Sequence, residues 1–130
     1  MSEEFYTRPI LAVGDVTASV EYYCEKLGFT KMWSAPDTNP IIAQVGRNGL
    51  EIILDSQSLI PKSSVPTVLS MTLHQAEQLG SLYHEFKSLG VKITVTPFEV
   101  VWEKGLYQFD VEDLDGNILI FWGDEPKENQ

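Results

Sequence analysis

The sequence predicts an α+β fold made of two copies of one unit, and three observations carry that reading. A short apolar strand, an amphipathic helix and three further strands follow one another in the first half of the chain. The same order returns in the second half, and the segments "KLGFTKMW" and "SLGVKITV" repeat the helix-to-strand junction. A unit of this kind covers one sheet face with its helix and leaves the other face to be buried. Two units curled toward each other give two tandem βαβββ modules, cupped mixed sheets around a cavity, with helices outside. The later strands of each unit read as antiparallel neighbours, which places the architecture in the α+β class.

The elements follow in order. "RPILAV" (Arg8 to Val13) is a short apolar strand. Asp15 or Thr17 caps a helix whose apolar residues Val16, Val20, Tyr23, Cys24 and Leu27 recur at spacings of three and four. Gly28 ends that helix. Strands follow at Thr30 to Ser34, Ile41 to Val45 and Leu50 to Leu54, the last two joined by the turn "GRNG". Module 1 therefore spans about residues 8–55, and the Ser- and Pro-rich stretch at about 56–66 reads as a linker.

Module 2 spans about residues 67–122. It opens with a strand at Thr67 to Leu73, then a helix with Ala76, Leu79, Leu82, Tyr83, Phe86 and Leu89 on one face, stopped by Gly90. Strands at Lys92 to Thr96, Leu106 to Val111 and Ile118 to Trp122 complete it, the last two forming a hairpin about Asp115-Gly116. Residues 123–130 form a polar tail.

Bulk properties narrow the function. The 130-residue chain fits a single domain, and a 43% hydrophobic content is ordinary for a globular protein. A net charge of −10 speaks against nucleic acid as partner, because a phosphate backbone requires a basic footprint. The same charge favours a cationic small ligand. No apolar run approaches the roughly 20 residues that cross a bilayer, so no membrane association is expected. The opening "MSEEFYTRP" has no basic and apolar signal pattern, and a cytoplasmic location is the expectation. Cys24, the one cysteine, has no disulfide partner within the chain and reads as a buried small hydrophobe.

The segment "ILAVGDVTASVEYYCEKLGF", followed near the end of the chain by "DVEDLDGNILIFW", resembles the vicinal oxygen chelate superfamily. That superfamily holds glyoxalase I, extradiol dioxygenases, fosfomycin resistance proteins and bleomycin resistance proteins. The likeness runs from Arg8 to Trp122. It implies paired βαβββ modules and a homodimer whose cavities lie between modules.

Metal-dependent members place a His or Gln at the opening strand of a module and a Glu in its last strand, donors suited to a divalent ion. By that resemblance the positions here are Arg8 and Glu51 in module 1, and Val68 and Ile120 in module 2. Alkyl side chains bind no metal, so neither a metal nor any other cofactor is expected. Arg8 and Glu51 would share one face of neighbouring strands, where a charge-assisted ion pair could stand in place of a metal. His74, in the turn after the strand, and His84, off the apolar face of the second helix, both read as solvated surface residues. No catalytic residue is identified.

Aromatic residues are then the main clue. Trp33, Phe98, Trp102, Tyr107 and Trp122 lie on or beside cavity strands, and aromatic faces bind planar or cationic groups by stacking and cation–π contact. Alternation along the last strand points Ile118, Ile120 and Trp122 into the cavity and Leu119 and Phe121 to the helix. The resemblance is closest in character to the metal-free bleomycin or glycopeptide antibiotic resistance type, which implies sequestration of a planar or cationic ligand by Trp33, Trp102, Phe98, Tyr107, Trp122, Glu51, Arg8 and Ile120. The rival reading is a divalent-metal-dependent glyoxalase-like lyase or isomerase, or a dioxygenase-like enzyme, built on Glu51. A third is a sensing or partner-binding protein with a filled cavity. Exposure of Trp33 and Trp102 separates that third reading from a ligand binder.

Overall fold

The computed structural model describes residues 5–56, 65–73 and 78–126. Module 1 comprises β1 (Ile10–Ala12), α1 (Val16–Glu25), β2 (Thr30–Ala35), β3 (Ile42–Arg47) and β4 (Leu50–Asp55). Module 2 comprises β5 (Val68–Thr72), α2 (Leu79–Ser88), β6 (Lys92–Glu99), β7 (Tyr107–Glu112) and β8 (Ile118–Gly123). The strand orders are β1-β4-β3-β2 and β5-β8-β7-β6, so the expected duplication is one of topology as well as of element order. In each module the first strand runs parallel to the last and the remaining pairs are antiparallel.

Local chemistry explains the boundaries. Asp15 is the N-cap of α1: its backbone is extended and its carboxylate accepts from the Ala18 N–H at 3.0 Å, meeting a donor the first helical turn leaves unpaired. Gly28 and Gly90, past the ends of the two helices, have φ of 74° and 77°, a region that costs a side chain free energy. β6 runs to Glu99, beyond the expected end at Thr96, and passes through Pro97. An edge strand with register shifts tolerates a residue that cannot donate to a ladder. β1 is shorter than expected, so Arg8 precedes it, and β8 takes Gly123 from the expected tail. Leu89 is exposed and Cys24 half-buried, both contrary to expectation, whereas His84 is exposed. Ala76, His74 and most of the linker lie outside the described residues.

One core joins both modules. α1 covers its sheet through Val16 and Tyr23, with Leu27 just past its end, and these share the core with Leu11, Ala43, Val45 and Leu54. α2 covers the other through Leu79, Leu82 and Phe86. Phe86 meets Phe121 edge-on at 5.5 Å, and Phe109 stacks on Phe121 at 5.3 Å.

The β7–β8 turn holds the two modules together. Asp113 accepts from the Asp115 and Asn117 N–H groups at 2.8 and 2.9 Å, closing the turn, and from the buried Tyr23 hydroxyl of α1 at 2.8 Å. Asn117 donates to the Ala12 carbonyl at 3.1 Å and accepts from the Thr67 N–H at 2.8 Å. Asp115 accepts from the Gly14 N–H at 2.8 Å. Thus all three polar side chains of "DLDGN" are used in architecture. At the far end Arg47 donates to both oxygens of Glu85, at 2.9 and 3.2 Å, and to the Leu27 carbonyl at 2.6 Å.

Candidate functional site

The face of each sheet turned away from its helix carries the candidate site. In module 1, Ala43 and Val45 point into the core, which turns Gln44 to the opposite face between Trp33 of β2 and Ile53 of β4. Gln44 is only 3% exposed and uses its whole hydrogen-bonding capacity. Its carbonyl oxygen accepts from Arg8 Nη1 at 3.0 Å and Trp33 Nε1 at 3.1 Å. Its amide nitrogen donates to Glu51 Oε1 at 3.1 Å and lies 3.2 Å from Met32 Sδ.

Gln44 corrects one expectation. Arg8 and Glu51 do share a face, but they form no direct ion pair; the Gln44 amide sits between them and is bonded to each. A neutral group with both donor and acceptor serves the guanidinium and the carboxylate at once. Arg8 also lies 5.9 Å from the Tyr6 ring centroid. A groove of about 380 Å³, lined in part by Met32, Arg47 and Glu51, opens beside this cluster and lies within the size range of small-molecule sites.

In module 2 the strand register sets out the face in rows. Phe98, Gln108, Trp122 and Thr72 form one row across β6, β7, β8 and β5. Asp110, Ile120 and Ser70 form the next, and Glu112, Ile118 and Val68 the one after. Trp122 Nε1 donates to Gln108 Oε1 at 2.7 Å, and Gln108 Nε2 donates to Asp110 Oδ1 at 2.9 Å. Trp102, on the β6–β7 loop, stands edge-on to Trp122 at 5.6 Å with 82° between the rings. That loop is internally bonded: Gly105 N–H donates to Glu99 Oε2 at 2.7 Å, and Val100 N–H to the Leu106 carbonyl at 2.9 Å.

Both modules therefore present a tryptophan whose N–H is held by a glutamine, with the glutamine amide held by a carboxylate. Trp33 is 38% exposed and Trp102 62%, so neither is packed into a filled interior. Phe98 is also exposed. Tyr107 does not join them. It falls in phase with Phe109 and Val111 and packs against the core, a second correction that the alternation of β7 itself explains. Gln44, Gln108 and Asp110 were not singled out in the sequence. Their signal is a polar residue alternating with buried apolar ones on a strand whose other face is assigned to the core.

The positions implied for a metal offer one guanidinium, one carboxylate already bonded to Gln44, and two alkyl groups. Val68 pairs with Ile118, and Ile120 with Ser70. This donor set does not fit a divalent cation, which typically needs about three protein ligands of oxygen, nitrogen or thiolate type in a catalytic site. Among the described residues no group of three or more His, Cys, Asp or Glu is placed to hold one.

Electrostatic shifts at Tyr22, Tyr23 and Asp115 fall at the junction of the modules. Burial, and then the charge of Asp113, raises Tyr23 well above the usual phenol value. Tyr22, whose hydroxyl donates to the Glu112 carbonyl at 3.2 Å, is also raised by burial. Burial raises Asp115 despite the opposing bond from Gly14, with Asp113 and Asp15 adding repulsion.

Comparison with known proteins agrees with this architecture. The family model described as Glyoxalase/Bleomycin resistance protein/Dioxygenase superfamily matches residues 6–121. TioX from Micromonospora sp. ML1 superposes with a TM-score of 0.73 at 15% identity, covering 96% of this chain and 100% of that one. A superfamily member from Sphaerobacter thermophilus DSM 20745 gives 0.73 at 21% identity, covering 93% and 98%. Lactoylglutathione lyase from Agrobacterium tumefaciens gives 0.71 at 13% identity, covering 94% and 96%. At these identities the likeness is one of fold. No curated protein matches the sequence significantly. The match of a family model over almost the whole chain, on a fold of two βαβββ modules, places the protein in the glyoxalase/bleomycin resistance protein/dioxygenase superfamily.

Proposed function

We propose that this chain is a metal-independent binding protein, of the bleomycin-resistance type, that sequesters a planar or cationic small molecule against its aromatic cavity faces. The observation that carries the reading is the state of the tryptophans. Trp122 is fixed by Gln108 and Trp33 by Gln44, while Trp33, and Trp102 beside Trp122, keep indole surface open to solvent. Fixing a ring before binding removes an ordering cost from association. Glu51, Asp110 and Phe98 lie on the same faces and supply charge and further apolar area.

In a single chain the cavity faces lie open, as the exposure of Val68, Ser70 and Thr72 illustrates. A cytoplasmic homodimer, in which one module's face is closed by a second copy, completes the cavity under this reading. Sequestration requires no catalytic residue, and the donor set argues against the metal-dependent lyase.

The test is a tryptophan-fluorescence titration with a monocationic acridinium dye in the presence of EDTA. Saturable quenching that Trp102→Ala weakens supports the reading. Quenching that appears only after a divalent metal is restored sinks it.

A further inference from the structure

Resting on the ligand-binding reading above, we propose that the Trp102–Trp122 corner of module 2 receives a compact alkylammonium cation, such as a quaternary or methylated ammonium head, in preference to an extended flat ring. The two indoles stand 82° apart at 5.6 Å, so their faces meet nearly at a right angle. A flat ring stacks on one such face and meets the other only with its edge. A roughly tetrahedral alkylammonium presents positive C–H surface to both at once, and tryptophan is the strongest aromatic partner for a cation.

Three neighbours complete the site. Phe98 is 40% exposed and in register with Gln108, two strands over from Trp122 and so about 10 Å from it by sheet geometry, where it adds apolar surface to the rim of the same face. The Trp122 N–H edge is already committed to Gln108, so what remains for a ligand is ring face. Asp110 lies two residues beyond Gln108 along β7, on the same side and about 7 Å from it along the strand. Its Oδ1 is bonded to Gln108, and its Oδ2 has no donor among the described residues. A carboxylate on the same face acts as a counter-ion without demanding an N–H from the ligand, which a quaternary ammonium lacks.

Module 1 does not offer the same environment. Trp33 shares the Gln44 carbonyl oxygen with the Arg8 guanidinium, whose positive charge offsets the Glu51 carboxylate held by the same amide, so no uncompensated negative charge faces that indole. The flanking charges of module 2 are Glu99 and Glu103 against Lys104 on the loop, and at the far end of the face Glu112 paired with Lys92 at 3.0 Å.

The experiment is a calorimetric titration of the full chain, in EDTA, with three probes: choline, its uncharged tert-butyl isostere and a monocationic acridinium dye. Choline should bind about tenfold more tightly than the isostere, and Trp102→Ala should weaken it by roughly 3- to 30-fold. Fluorinated tryptophan, which reduces the negative charge of the ring face without changing the fold, should weaken choline progressively with each added fluorine. Equal binding of choline and isostere, or acridinium binding without choline binding, overturns the alkylammonium assignment and leaves the broader reading standing. Failure of all three probes overturns both.

Discussion

The hydroxyl of Tyr23 and the carboxylate of Asp113, 90 residues apart, meet at 2.8 Å in the buried junction between the modules. A hydrogen bond to a charged group is worth about 1.5–3 kcal/mol, so Tyr23→Phe should destabilise the fold by that amount in urea unfolding. The raised Tyr23 pKa adds a second signature. A phenol whose folded value exceeds its unfolded value contributes stability that is complete below the unfolded pKa, near 10, and is lost as pH rises above it. Wild type should therefore lose stability above about pH 10 more steeply than Tyr23→Phe.

Asp115 behaves in the opposite sense to a stabilising carboxylate. Its pKa is raised from 3.8, so the folded state holds the proton more tightly than the unfolded one. Stability contributed by this group falls as pH climbs through the window above 3.8, and at neutral pH the charged form opposes folding. Asp115→Asn keeps an oxygen for the Gly14 N–H and should raise Tm at pH 7, with the advantage narrowing as the pH approaches 4. A lower Tm at pH 7 would show that the charge-assisted bond outweighs burial.

Trp102 and Trp122 should separate affinity from stability. Trp102 is largely solvent-exposed, so Trp102→Ala should change unfolding free energy by about 0.5 kcal/mol or less while lowering acridinium affinity roughly 2- to 30-fold. Trp122 is half-buried and bonded to Gln108, so Trp122→Ala should cost about 1–3 kcal/mol of stability as well as affinity. A large stability loss at Trp102 with unchanged affinity would assign it to structure.

Gln44 is the hinge of the module 1 cluster. Gln44→Leu removes the partner of Arg8, Trp33 and Glu51 together, and should destabilise by about 1–3 kcal/mol in chemical denaturation. The same variant should increase the mobility of Trp33, read as a fall in its steady-state fluorescence anisotropy. A variant with wild-type stability would mean that Arg8 and Glu51 pair directly once the amide is gone.

Much of the fold was legible because it rests on local chemistry. The Asp15 cap, the glycines ending both helices and the alternation of Ile118 to Trp122 are signals within a few residues, and the structure carries each of them. Pro97 hid the true length of β6, since only the sheet order reveals that this strand is an edge. The candidate site was harder to read because it depends on register between strands. Parity places Arg8 and Glu51 on one face, but cannot say that Gln44 stands between them. For Tyr107 the alternation with Phe109 was available, yet its aromatic character outweighed it.

The most direct test of the account is metal content. Purified protein dialysed in turn against Ni, Zn, Mn and Fe, then measured for bound metal per chain by mass spectrometry, should retain almost none, because Arg8, Val68 and Ile120 present no metal donor and Glu51 is held by Gln44. Close to one tightly held ion per chain would contradict the binding-protein account and direct attention to lyase chemistry.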